Sequence, residues 1–149
     1  MLDLALTIGH HLAVFSVAAL LAMELVILRP GIAGQRLREL GGLDMAYGIA
    51  AGLVLIFGFA RVFFGDTAAD FYLANPVFWA KIGAFVVVGA LSAPPTIAIL
   101  GWRRAARADA GFTPPLAEIA RARRFFQLEA VVFVLIPIFA AAMANGIGL

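Results

Sequence analysis

Two adjacent histidines, His10 and His11, stand early in the first apolar stretch of this chain, Arg61 comes late in the second, and Lys81 comes early in the third. Glu24 lies toward the end of the first stretch, Asp44 just ahead of the second, and Glu129 near the start of a fourth. An ionisable side chain held in hydrocarbon costs roughly 2.5–3.5 kcal/mol unless it is paired, protonated or facing a cavity. These few residues are therefore where chemistry is to be sought. A neutral imidazole is a common axial ligand of haem iron, and cations at the same depth suit anionic propionates or a quinone oxygen. His10 and Glu24 are 14 residues apart, almost a whole number of turns at about 3.6 residues per turn, so they share a helix face. His11 points about a third of a turn away. The spacing favours His10 as the inward residue and candidate axial ligand of haem b, with Arg61 and Lys81 as propionate partners or second ligand. Only one stretch carries histidine, which rules out a bis-histidine haem held between two helices of one chain. In the competing reading Lys81 and Arg61 snorkel to lipid headgroups and the histidines rest at the interface.

Glu24 and Glu129 sit a turn or so inside the other ends of their stretches. Two carboxylates at that depth either share a proton or pair with an arginine such as Arg29 or Arg124, and pairing is the expected arrangement. A proton path needs continuous polar steps, and the middle of the chain's apolar stretches offers little beyond Ser16 and Ser92. No inverted repeat is evident, so proton-coupled transport ranks third, behind a cofactor site and a non-enzymatic membrane subunit or scaffold. The sequence has no Cys, which removes disulfides, thiolate metal sites and cysteine nucleophiles. Motifs for serine hydrolysis, phosphate-cradling loops and zinc proteolysis are absent, and the methionines do not cluster as copper ligands do.

The elements that must position these residues follow from composition. With 149 residues, 64% of them apolar and 13% charged, the chain is far from a soluble domain, in which about half are apolar and a quarter charged. A membrane-spanning helix takes about 20 apolar residues, which leaves room for four spans and short connections. The expected spans run from Ala5 to Leu28, Met45 to Phe64, Trp79 to Trp102 and Phe125 to Gly146. The N-terminal run lacks the basic flank of a signal peptide and reads as a retained span. Small residues crowd the second span, among them Gly48, Gly52 and Gly58, and allow close helix approach. Pro94, Pro95 and Pro137 fall inside apolar runs, where each removes a backbone hydrogen bond and kinks are expected. Thr113-Pro114-Pro115 reads as the start of a helix continuing through Arg121 and Arg124 into the fourth span, with Gly111 closing the helix before it. Trp79 and Trp102 are expected as aromatic anchors, one at each membrane face.

Arginines fall in the first connection (Arg29, Arg36, Arg38) and the third (Arg103, Arg104, Arg107, Arg121, Arg123, Arg124), whereas the second carries Asp66 and Asp70. The positive-inside rule places the first and third connections in the cytoplasm. The net charge of +2 thus serves topology and lipid headgroups, not nucleic acid. The expected fold is all-α: an integral membrane four-helix bundle in one domain, with both termini on the non-cytoplasmic side of a bacterial inner membrane. The lipid bilayer is its expected partner, and a homo-oligomer or a second membrane protein is left open.

His10-His11-Leu12-Ala13-Val14-Phe15, Phe78-Trp79-Ala80-Lys81 and the stretch from Arg121 to Phe126 resemble a bacterial family of short, four-span predicted membrane proteins, a likeness that covers most of the chain and implies no activity. A more distant similarity is to the four-span haem-binding protoporphyrinogen oxidase family, which carries a histidine early in its first helix and a lysine early in its third. That similarity implies haem b and roles for His10 and Lys81, with the doubled histidine leaving either His10 or His11 as the counterpart.

Overall fold

The computed structural model describes residues 1–148, and its elements are all helices: α1 (Leu2–Ile27), α2 (Gly34–Phe64), α3 (Ala69–Ala74), α4 (Pro76–Ala108), α5 (Leu116–Phe133) and α6 (Leu135–Ala144). α1 stops just before Arg29-Pro30, because the proline ring excludes the α conformation from the residue ahead of it and cannot donate to the helix. Gly31 and Gly34, with φ of 80° and 52°, adopt the left-handed conformation open to glycine and turn the chain into α2.

α2 begins at Gly34, well ahead of the apolar run, and continues through Gly41-Gly42. Two interior glycines cost a helix about 1 kcal/mol each, but here Leu37 and Leu40 are buried and Gly41 lies beneath the side chain of Arg103, where a Cβ would collide with it. Packing therefore overrides propensity. α4 opens on a built N-terminus: Asn75 Oδ1 accepts from the Val77 N–H at 2.8 Å, with Pro76 in the first turn. This helix runs uninterrupted through Pro94 and Pro95. The fourth crossing does break, at Val134 between α5 and α6. Pro137 explains the position, since it cannot donate to the carbonyl of Phe133 and its ring presses on that carbonyl.

The third connection differs in detail from expectation. Asp109, not Gly111, ends α4, and Asp109 Oδ1 accepts from the Gly111 N–H at 2.9 Å. Pro115 occupies the cap position of α5 without a side-chain cap bond, so Thr113 does not cap it. Trp102 is buried, with Nε1 donating to Glu118 Oε2 at 2.7 Å, and it locks the end of α4 to the start of α5 instead of anchoring at a lipid interface. Trp79 is exposed, its Nε1 donating to the Leu73 carbonyl at 3.0 Å.

α1 packs along α2, and α4 along α5 and α6; the two pairs join through α2 with α4 and α1 with α5. α1 and α4 therefore occupy one diagonal of a four-helix square, and α2 and α5 the other. The main core, including Leu21, Leu28, Leu40, Ile99, Ile119 and Phe126, fills the arginine-rich half, and a smaller one around Ala84, Val88 and Ile136 lies toward the other end. Outward-facing positions carry large apolar side chains such as Leu12, Phe15, Ile56, Val86, Ile97 and Val131, while Glu24 and Glu129 are fully buried. Among the described residues α1, α2, α4 and the α5–α6 stretch Leu116–Ala144 are long and apolar enough to cross a membrane, and this inside-out distribution is what a lipid-facing bundle requires.

Candidate functional site

Two polar groups lie inside the bundle. Nearer the chain termini, α1 turns His10 inward against Gly58 of α2; a Cβ on that glycine would stand 3.3 Å from His10 Cε1. His10 is half-buried and its Nδ1 is enclosed without a hydrogen-bond partner. His11 is exposed on the other side of α1, with Nδ1 bonded to the Thr7 carbonyl at 2.7 Å. The 14-residue spacing thus distinguished the two rings correctly. Arg61 and Lys81 both lie within electrostatic reach of His10. Arg61 Nε is buried without a partner, and Lys81 Nζ sits 5.1 Å from the centre of the Phe78 ring. The structure therefore brings His10, Arg61 and Lys81 into one neighbourhood and leaves His11 outside it.

The second group lies toward the arginine-rich end, and every crossing contributes to it. Tyr47 of α2 donates its hydroxyl to Glu129 Oε1 of α5. These helices are diagonal neighbours, so the bond passes through the bundle axis. Asp44, one turn before Tyr47, accepts from Thr96 Oγ1 of α4 at 2.6 Å. Glu24 of α1 completes the group, within electrostatic reach of Asp44 and Glu129. Both Glu24 oxygens are buried without a donor, as is Glu129 Oε2.

Arginine pairing, the arrangement expected for these acids, is not what forms. Arg29 Nε donates to the Val26 carbonyl at 2.9 Å, and Arg123 Nη1 donates to the carbonyls of Leu25 (2.7 Å) and Leu28 (2.5 Å), where it satisfies the free end of α1. Glu24 and Glu129 are left to each other, to Asp44 and to Tyr47, while Asp44 bonds to Thr96 and has Arg103 within electrostatic reach. Among the described residues no three His, Cys, Asp or Glu side chains converge as metal ligands do. What the arrangement can do is hold and pass protons, since an unpaired buried carboxyl is stable as the neutral acid and three neighbouring acids offer successive positions for a proton.

Sequence reasoning missed Tyr47 and Thr96 because uncharged polar residues carry no penalty that marks them. By sequence Asp44 stands at the start of a span, where acids are ordinary, and only the early start of α2 at Gly34 carries it into the bundle. A cleft of about 350 Å³ between α2 and α4 reaches this group, bordered by Asp44, Tyr47, Ser92, Thr96 and Arg103. Ser16 plays no part in it: its hydroxyl bonds to the Leu12 carbonyl on the exposed side of α1. Buried Ala13, Val17, Ala50 and Val54 form an apolar layer between the carboxyl group and the His10 neighbourhood.

No curated protein and no solved structure matches this chain. A family model described as a predicted membrane protein (DUF2214) matches residues 2–148. Sequence match, four apolar crossings and an inside-out side-chain distribution agree, and the chain belongs to that family of predicted membrane proteins.

Proposed function

We propose that this is a proton-binding protein of a bacterial plasma membrane, both termini outside the cytoplasm, in which Glu24, Asp44, Tyr47 and Glu129 take up and release protons from the arginine-rich side. The observation that carries the reading is Glu24: fully buried, without a hydrogen-bond donor or a cation, and beside two further acids. A lone charge there is too costly to keep, so Glu24 holds a proton and gives it up only when a neighbour or a ligand offers compensation. Access runs through the α2–α4 cleft, past Thr96 and Asp44. The apolar layer above the cluster favours exchange with one side over passage across the membrane. Infrared difference spectra of the reconstituted protein on a pH step test this: a protonated-carboxyl stretch that shifts in deuterated water and is lost in Glu24→Gln is expected. No such band, or one unchanged in that variant, defeats the proposal.

Haem b binding is the second reading, supported by the enclosed, unpartnered Nδ1 of His10 with Arg61 and Lys81 nearby. The donor types fit: His10 would ligate iron, Arg61 would hold a propionate, and Lys81 would hold the other or supply the second ligand. Haem contributes one-electron redox chemistry when bound. Absorption spectra of protein purified with ample haem decide it: a Soret band lost in His10→Ala and kept in His11→Ala is expected, and a featureless spectrum after reconstitution removes the reading.

A further inference from the structure

One face of α4 changes character in order along its length. Read from the arginine-rich end, Arg107, Arg103, Leu100, Thr96, Ser92, Gly89 and Phe85 recur at helical spacing and line two cavities. The first, about 230 Å³, lies between the start of α2 and the end of α4, with Arg38, Arg103 and Arg107 in its wall. The second is the α2–α4 cleft. Arg103 borders both, its stem crossing α2 over Gly41 and its Nη1 donating weakly to the Gly41 carbonyl at 3.4 Å. Arg38 and Arg107 have no acidic partner among the described residues, and the N-terminus of α2, uncapped by any side chain, opens on the same cavity. Three guanidinium groups and free helix N–H groups make a site for a phosphate.

Beyond them the groove passes Leu100, Asp44 and the hydroxyls of Thr96 and Ser92, which are bonded to Asp44 and to the Gly89 carbonyl, and reaches a floor of small residues at Gly48, Ala51 and Gly89. A cationic mouth opening on a floor of small residues matches a phosphate headgroup and an acyl chain. We propose that the α2–α4 groove is a binding site for one anionic phospholipid, its phosphate held by Arg38, Arg103 and Arg107 and one chain lying against Gly48, Ala51 and Gly89. Basic pockets between membrane helices recognise lipid headgroups by this charge complementarity. The lipid would lie in the same cleft that leads past Thr96 to Asp44, its binding needs no proton on Glu24, and lipid retention is read separately from the carboxyl infrared band.

The purified protein is delipidated in detergent, offered equal amounts of palmitoyl-oleoyl phosphatidylglycerol and phosphatidylcholine, and analysed by native mass spectrometry. One phosphatidylglycerol per chain, in preference to phosphatidylcholine, is expected. An Arg38→Gln, Arg107→Gln double variant, altered only at exposed side chains, loses that preference and binds about tenfold more weakly, as removal of charge-assisted bonds predicts. Gly89→Leu, which fills the cleft, releases the lipid while leaving the arginines in place. Equal retention of both lipids, or retention unchanged in the double variant, overturns the proposal. Displacement of the lipid by millimolar inorganic phosphate also overturns it, because the site would then be one for free phosphate.

Discussion

At the scale of single residues, the distinguishing feature is acids without bases. A buried carboxylate normally survives by pairing with a cation, yet Arg123 is spent on backbone carbonyls at the end of α1, and Arg103, within electrostatic reach of Asp44, bonds to the Gly41 carbonyl. Tyr47 supplies the one hydroxyl donor to Glu129. Tyr47→Phe keeps the ring and removes that donor, leaving both Glu129 oxygens enclosed and unpartnered. Hydrogen bonds inside membrane bundles contribute about 1 kcal/mol, so the variant is expected to lose about that much in a detergent unfolding titration. On the proposed reading Glu24→Gln replaces one neutral, enclosed group by another of the same shape, and its cost is expected to stay within about 1–3 kcal/mol, that of an unsatisfied buried polar group. Were Glu24 charged and paired in the folded protein, the same substitution would be strongly destabilising, about 3–5 kcal/mol, and the titration separates the two cases.

At the scale of elements, helices here are set by packing as much as by propensity. α2 runs through Gly41-Gly42 because Arg103 and buried leucines compensate, and α4 tolerates Pro94-Pro95 where the fourth crossing yields to a single Pro137. Pro137→Ala restores a donor for the Phe133 carbonyl and is expected to join α5 to α6, slowing amide exchange around Val134 in hydrogen-exchange mass spectrometry. Unchanged exchange there would assign the break to tertiary packing instead of the proline. The apolar runs of the four crossings were legible in the sequence because lipid imposes length and hydropathy directly, and the His10 face was legible because helical period is fixed. Helix extensions beyond the apolar runs were not legible. Leu37 and Ile119 join the core from outside those runs and Trp102 from the edge of one, and nothing in local hydropathy announces a core built from three helix ends. The Tyr47–Glu129 bond was hidden for a related reason, since period assigns residues to faces without saying which helices stand diagonally opposite.

At the scale of the whole molecule, charge and polarity divide the bundle into two unlike ends. The arginine-rich end has the larger core, the carboxyl cluster, the cleft and the Arg38–Arg103–Arg107 cavity; the other has His10, Arg61 and Lys81 beneath a connection bearing Asp66 and Asp70. In the proposed orientation both termini lie outside the cytoplasm, because cationic segments near span ends resist translocation and the arginines crowd the opposite end. The absence of native cysteine makes single introduced thiols unambiguous reporters. Asp66→Cys and Gly111→Cys both alter exposed positions in connections, and a membrane-impermeant maleimide added to intact spheroplasts is expected to label the first and not the second, with both labelled once the membrane is broken. The reverse pattern would invert the protein, placing the carboxyl cluster and the lipid groove toward the outer leaflet. Labelling of both in sealed spheroplasts would contradict the four-span arrangement itself, since these two connections stand at opposite ends of the α4 crossing.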